Sequence, residues 1–559
     1  MNRIDCRAAV VISNTRRILM GCLLALTCSA AGATSTIVDK LTLPGTYFQT
    51  AVDPVLHKAF VIHEETNSLK AIDLDAMQVV GSIPLDADAA WTRVDVARHR
   101  VYILHVGAPG RITTIDGKTL AVIARTTIVE RPIYFVADFR RGELYAIHDE
   151  PGHHVTIFDT KTNTVAATLQ LPQYVYGLTV NRQTGKIYVP LYGSRQVAVI
   201  SQASRTVVKT IAVNMNPVGA IAEERNGSVF ITGFQNLTAT VVDQLAVIDS
   251  ETDTVRTTMT SLVSLPNVAR FDPVPSPVYA RAYVSNPDQG KVTVIDAGPS
   301  TFPKAITIPG IPIVAHVNED DGEVYVLDRT PGATTMTILD ARLERIAGTL
   351  DLGFRGAAVG RVGGRLLITG GDAAGNTVFA RATPQGIQPD TVIATDFHHE
   401  GFDHFFHSAN RDETRVLQDG VFGQDWLPTQ QFWRVWKTPR SDRVPVCRLF
   451  STTFGAKSSH FYTPYAAECD SLKAGTTWQY EETSYYVVLP DANGGCSPAY
   501  EELYRLYNNG MGGAPNHAYT NNRAKRDALQ AKGWVPEGSG PQNVFACTPP
   551  LKGFVTSPP

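Results

Sequence analysis

Seven strand-ending positions, spaced almost evenly over residues 73–340, constrain this chain more than any other feature of its sequence. They are Asp73, Asp116, Asp159, Ser201, Asp249, Asp296 and Asp340, at successive spacings of 43, 43, 42, 48, 47 and 44 residues. Each closes a run of alternating apolar residues, such as Arg111-Ile-Thr-Thr-Ile-Asp116 or Val292-Thr-Val-Ile-Asp296. A partner run of the type Val101-Tyr-Ile-Leu-His105 or Val324-Tyr-Val-Leu327 precedes it. Alternation over four to six residues between Gly, Asp and Asn punctuation marks half-buried strands. Four such strands per ~40–45 residues predict the blade of a β-propeller.

An eighth candidate, Arg365-Leu-Leu-Ile-Thr369 with Thr377-Val-Phe-Ala-Arg381, lacks an outer strand. Thr36-Ile-Val-Asp-Lys-Leu-Thr-Leu43 has an outer-strand pattern and no blade of its own. Pairing the two closes the ring and removes its exposed edges, so eight blades are favoured over seven. The recurring Asp is expected to cap the turn after its strand through its own carboxylate. The Tyr-Val and Val-x-Val-Ile-Asp segments resemble the YVTN family of exported bacterial β-propellers. That resemblance implies a fold and leaves the function open.

Between residues 403 and 547 a different unit recurs three times. Its copies begin Asp403-His404-Phe405-Phe406-His407, Ser459-His460-Phe461-Tyr462-Thr463 and Asn516-His517-Ala518-Tyr519-Thr520. Each continues through a helix-like segment ending at Leu417, Leu472 or Leu529, and then reaches Trp426, Trp478 or Trp534. Aligned on His404, His460 and His517, the copies lie 56 and 57 residues apart, and the step from His to Leu is 13, 12 and 12 residues. Such a period implies one supersecondary unit used three times around a shared core. Each unit reads as a first strand (clearest at 446–450 and 503–507), the His-aromatic strand, a helix capped by Thr463 or Thr520, and a closing aromatic strand at 432–436, 484–488 or 543–547. Ser459-His-Phe-Tyr-Thr463, the run from Tyr504-Arg-Leu-Tyr-Asn508 to His517, and Gly533-Trp534 closely resemble a bacterial domain family of unknown function built from "YRxYN…HFYT…ERDxL…GWxYEG" repeats. The resemblance implies an accessory module, with Ala518 standing where the family has Phe.

Ahead of both repeats, Arg16-Arg17, the apolar run 18–26 and Ala31-Gly32-Ala33 read as an export signal cleaved near Ala33, faintly of twin-arginine type. The expected layout is a signal peptide over 1–33, the propeller over 34–386 and a small α+β module of three pseudo-repeats over 391–559, the whole mainly β. Beyond the signal the chain keeps Cys447, Cys469, Cys496 and Cys547, all in the repeat region. An even set in an exported protein favours two disulfides, and Cys447–Cys469 with Cys496–Cys547 each close within or around one repeat. No CxxC spacing supports zinc. No apolar run reaches the ~18–20 residues of a spanning helix. A formal charge of −3 argues against nucleic acid as a partner.

Nothing in the propeller forms a catalytic motif, and its histidines, among them His105, His148, His153, His154 and His316, are scattered over several blades. His398, His399, Glu400, Asp403, His404 and His407 are the densest ligand-like cluster, yet adjacent histidines on a strand face opposite sides. No cofactor or metal is therefore expected. Candidate ligand-binding residues are His404, His460, His517, Tyr462, Tyr519, Arg448, Arg505, Trp478 and Trp534, because aromatic faces stack on sugars while Arg and His orient hydrogen bonds. The alternative is that each His and Trp locks its own module. The favoured expectation is an exported, non-enzymatic binding protein whose module attaches to a polysaccharide, to cell-wall glycan, or to another exported protein. The alternatives are a lactonase- or lyase-like enzyme acting in the propeller's funnel and a protein-interaction scaffold.

Overall fold

The computed structural model describes residues 35–551, except 130, 149–152, 224–226, 237–240, 261–273, 277–280, 297–303, 319–320, 342, 363, 385–389, 419, 424, 456 and 458. The expected export signal lies outside the described residues. Eight four-stranded antiparallel sheets follow one another along the chain, seven of them pairing their strands in sequence order. Blade 1 comprises Tyr47–Asp53, Lys58–His63, Ser68–Asp73 and Gln78–Pro84. Blade 8 comprises Arg355–Val362, Arg365–Gly371 and Thr377–Thr383, completed by Thr36–Leu43 from the start of the chain. Thr36 lies opposite Thr383 and Leu43 opposite Thr377. Leu43, Ala59, Ile72, Leu367 and Phe379 then pack blade 8 on blade 1, so the ring of eight closes.

Burial follows from this stacking. Inner and middle strands meet a neighbouring blade on each face, so a run such as Arg100–His105 is buried at every position after Arg100. Outer strands meet water, and Thr206–Ala212 is exposed everywhere but Ile211. The tyrosine of the Tyr-Val segments has a specific role here. Tyr102, Tyr188 and Tyr283 are each buried and donate their hydroxyls to a turn carbonyl in the following blade, Thr160, Ser250 and Ala341, at 3.3–3.4 Å. The strand-ending carboxylates cap their turns as expected. Asp73, Asp116, Asp159 and Asp249 each accept from the amides two and three residues on.

Beyond the propeller come three units of common design. The first strands are Thr391–His399, Val444–Ser451 and Glu501–Tyr507. Each pairs with a hairpin partner, His404–Ser408, Ser459–Thr463 or His517–Thr520, and a short helix follows. The helices are α1 (Arg411–Gln418), α2 (Ala466–Ala474) and α3 (Arg523–Ala531). The strands after the tryptophans are Trp426–Trp436, Gln479–Val487 and only Val535–Pro536 in the third unit. The expected third closing strand, 543–547, shrinks to Ala546–Thr548, which pairs with Glu501–Leu503. Disulfides Cys447–Cys469 and Cys496–Cys547 form as expected.

Two details of the sequence reading are corrected. Thr463 and Thr520 do not cap their helices; their hydroxyls accept from Tyr465 and Asn522 amides, two residues on, and set the turn that enters each helix. Capping falls to Asn522, which accepts from the Lys525 amide, and to Asn410, which accepts from the Asp412 and Glu413 amides. The repeat register of the first copy is also shifted by one. Ser408 occupies the place of Thr463 and Thr520, since it pairs with Thr395 as they pair with Cys447 and Tyr504 and accepts likewise from the amide two residues on. Phe405, not His404, is therefore the counterpart of His460 and His517, and His407 is the counterpart of Tyr462 and Tyr519.

Candidate functional site

In the corrected register, three equivalent polar clusters join the repeats in a cycle. Arg448, on the first strand of repeat two, binds Glu413 of α1 in repeat one through both terminal nitrogens at 2.8 Å. Arg505, one repeat further on, binds Glu468 of α2 at 2.9 and 3.0 Å. The residue three beyond each tryptophan completes the cluster: Glu481 accepts from Arg448 Nε at 2.7 Å, and Glu537 lies 2.9 Å from Arg505 Nε. His460 and His517 reach those carboxylates at 3.5 and 3.4 Å. Each guanidinium also lies over a ring of the preceding repeat, Arg448 over Phe406 at 5.2 Å and Arg505 over Phe461 at 4.8 Å.

The cycle closes with the charges reversed. Asp396 holds the arginine position of repeat one, and its partner is Lys525 of α3 at 3.5 Å, in the place of Glu413 and Glu468. Thr429, three beyond Trp426, donates to Asp396 at 2.7 Å, where Glu481 and Glu537 stand elsewhere. Ala518 takes the ring position, and a carboxylate gains nothing from an aromatic face. Burial pushes the Asp396 carboxyl up to about 6, against the pull of Lys525. Burial likewise holds His407 well below its ordinary value and His460 down at about 3, with Arg448 adding to each.

Around the axis of this cycle His407, Tyr462 and Tyr519 converge, with ring centroids 3.8, 4.6 and 5.6 Å apart. Tyr462 donates its hydroxyl to the His407 carbonyl, and Tyr519 donates to the Tyr462 carbonyl at 3.0 Å. These three side chains are at most 2% exposed. Arg448, Arg505, His404, His517 and Trp534 are buried as well. Of the nine residues singled out from the sequence, His460 and Trp478 alone keep partial exposure. The set is thus brought together, but as the internal frame of the module. His398 binds Asp403 at 2.8 Å, and among the described residues no three His, Cys, Asp or Glu side chains gather as a metal site.

A cavity opens instead where the module meets the propeller. Helix α1 lies against the ends of the innermost strands. Arg140, just after the inner strand of blade 3 (Pro132–Asp138), donates to the last-turn carbonyls Gln418 and Leu417 at 2.7 and 3.2 Å. Arg415, in the same helix, donates to the Arg361 carbonyl in the inner strand of blade 8 at 3.0 Å. Blades 8 and 3 are three apart in a ring of eight, so α1 reaches across part of the channel mouth. Beside it is a space of about 820 Å³, lined by His316 of blade 7, Gly360 and Arg361 of blade 8, Arg411 and Arg415 of α1, and Lys437.

Charge on these walls is mainly positive. Asp321 accepts from Arg361 at 2.8 Å and faces Lys437 at 3.5 Å, so one carboxylate answers two cations. Two carboxylates also line the space; Glu482 accepts from Arg448 at 3.3 Å, and Asp412 is exposed. Burial drives the His316 imidazole down to about 4, with Arg411, Arg361 and Arg415 adding to the effect. His316 Nε2 and Arg361 Nε are buried and make no hydrogen bond within the protein. Each such atom costs about 1–3 kcal/mol. Sequence reasoning passed over this set, because its members lie up to about 120 residues apart (316 to 437) and share no repeat. The one available signal was His316, a histidine that has no equivalent in the other blades' inner strands.

Residues 396–542 match a family described as Domain of unknown function (DUF5648). No curated protein matches the sequence. Among solved structures, dihydro-heme d1 dehydrogenase NirN in complex with DHE is similar at 14% identity and a TM-score of 0.47, over 60% of this chain and 75% of that one. Kuenenia stuttgartiensis hydrazine synthase is similar at 13% identity and a TM-score of 0.41, over 61% of this chain and 97% of that one. Likenesses this distant carry no argument about chemistry.

Proposed function

We propose that this is an exported, non-enzymatic binding protein whose ligand lodges between the propeller and the C-terminal module. The observation that carries the reading is the cavity itself, about 820 Å³ and lined by the cationic side chains of Arg361, Arg411, Arg415 and Lys437. Its volume suits a small molecule, and a few oriented polar groups in a recess are how such sites select. Two disulfides support export to an oxidising compartment. The propeller acts as a rigid seat, and α1 forms the roof of the site.

The test is calorimetric titration of the full chain with a panel of small metabolites and glycan oligomers. A Cβ at Gly360 meets no atom within 4 Å, so Gly360→Phe fills the cavity without displacing backbone. Saturable binding that disappears in Gly360→Phe supports the proposal. Binding that survives it places the ligand elsewhere and defeats the reading.

A second reading rests on Trp478, which stays partly exposed beside Phe454 and Phe461, with ring centroids 6.2 and 5.6 Å away. Such a face suits a polysaccharide chain. Glycan binding lost in Trp478→Ala but kept in Gly360→Phe distinguishes it from the cavity reading.

A further inference from the structure

We infer that the cavity is an oxyanion site, built for a small molecule bearing a carboxylate or phosphate group; this rests on the proposal that the cavity is where the ligand binds. Arg411 and Arg415 approach from α1 and Arg361 from blade 8, so guanidinium groups face the same space from both the module and the propeller. Planar guanidinium forks match carboxylate and phosphate oxygens, and Arg is the residue of choice for such groups when partly withdrawn from water. Arg361 uses one terminal nitrogen on Asn318 and Asp321, at 2.6 and 2.8 Å, which fixes its plane. Its Nε–H then lacks an acceptor within the protein, as His316 Nε2 lacks a partner.

Helix α1 adds to this field. It lines the space along its length, from Arg411 to Gln418, and Arg140 neutralises its last-turn carbonyls at Gln418 and Leu417. A neutral ligand would leave the positive charge of Arg361, Arg411, Arg415 and Lys437 unbalanced, whereas one oxyanion group would offset it. The remaining volume would hold the body of the ligand, for which the walls show less selection.

Citrate and glucuronate (carboxylates), inorganic phosphate, and glucose as the uncharged counterpart of glucuronate are the probes, titrated into the full chain. The expected result is saturable binding of at least one oxyanion and none of glucose. Arg411→Gln should weaken that binding by about tenfold or more, the size of one lost charge-assisted hydrogen bond. Preference for citrate and glucuronate or for phosphate then assigns the carboxylate or the phosphoryl source. Binding of glucose as tight as glucuronate, unchanged by Arg411→Gln yet abolished by Gly360→Phe, overturns the oxyanion assignment and leaves the cavity standing as the site. Oxyanion binding that persists in Gly360→Phe overturns both. Failure of every oxyanion to bind at millimolar concentration overturns the assignment as well. Arg415→Gln provides a second variant should Arg411→Gln fail to fold, with a loss of oxyanion affinity expected and no change counting against the site.

Discussion

At the scale of single residues the sharpest feature is Asp396. Two of the three repeat junctions are Arg–Glu pairs, and the third is Asp396–Lys525, so a repeat docked out of order would set like charges against each other. Asp396→Arg puts a second cation beside Lys525 and should destabilise the module by about 3–5 kcal/mol, the cost of breaking a buried pair. Adding Lys525→Glu rebuilds the Arg–Glu junction and should recover much of that loss. Five of the six tryptophans lie in the module, so fluorescence-monitored urea unfolding of the four proteins reads this cycle directly. The same carboxyl makes a pH prediction. Its folded value of about 6 lies above the unfolded 3.8, so its stabilising contribution is full below pH ~4 and is lost as pH rises through 6. The stability of the wild type relative to Asp396→Asn should fall by up to about 3 kcal/mol between pH 4 and 7. A gap that widens with pH would show that the ionised pair stabilises the fold.

These clusters were partly legible in the sequence. The His-to-Leu steps of 13, 12 and 12 already contained the shift, because Phe405 to Leu417 is 12 residues and only His404 breaks the series. Residue type misled the alignment: a histidine in the first copy outweighed spacing. The Arg, His and Tyr positions were located, but periodicity in a sequence marks what recurs and does not tell an inward face from an outward one. Tyr462 and Tyr519 recur because they meet at the axis with His407.

At the scale of elements, the blades were readable because each is local: four strands, three turns and a capping carboxylate within one period. What the motif does at Tyr102, Tyr188 and Tyr283 was not readable, since there the hydroxyl bonds to another blade. Tyr188 is the strongest case, donating to Asp253 at 2.7 Å as well as to the Ser250 carbonyl. Tyr188→Phe should cost about 1–2 kcal/mol, while the carbonyl keeps its bond from Lys186 at 3.0 Å. Chemical denaturation checks this, and a loss below about 0.3 kcal/mol would mean that the blades are held by apolar packing alone.

At the scale of the whole molecule, the closing strand Thr36–Leu43 was legible as an outer strand without a blade. Its lock was not. Arg381 binds Asp39 in that strand and donates to the Leu74 carbonyl of blade 1 at 2.6 Å, so one side chain ties blade 8, the N-terminal strand and blade 1 together. Arg381→Ala should lower the stability of the propeller by about 2 kcal/mol and expose residues 36–43 to proteolysis. The junction between propeller and module was the least legible part. It is made by residues such as Arg140 and Gln418, which are 278 positions apart and carry no mark of each other in the sequence.

That junction also carries the central claim, and hydrogen–deuterium exchange with and without saturating oxyanion ligand tests it most directly. Slowed exchange confined to α1 (Arg411–Gln418) and the inner strands Pro312–Asn318 and Arg355–Val362 is the result predicted. Protection confined to the strand Gln479–Val487 behind Trp478, with α1 unchanged, would contradict it.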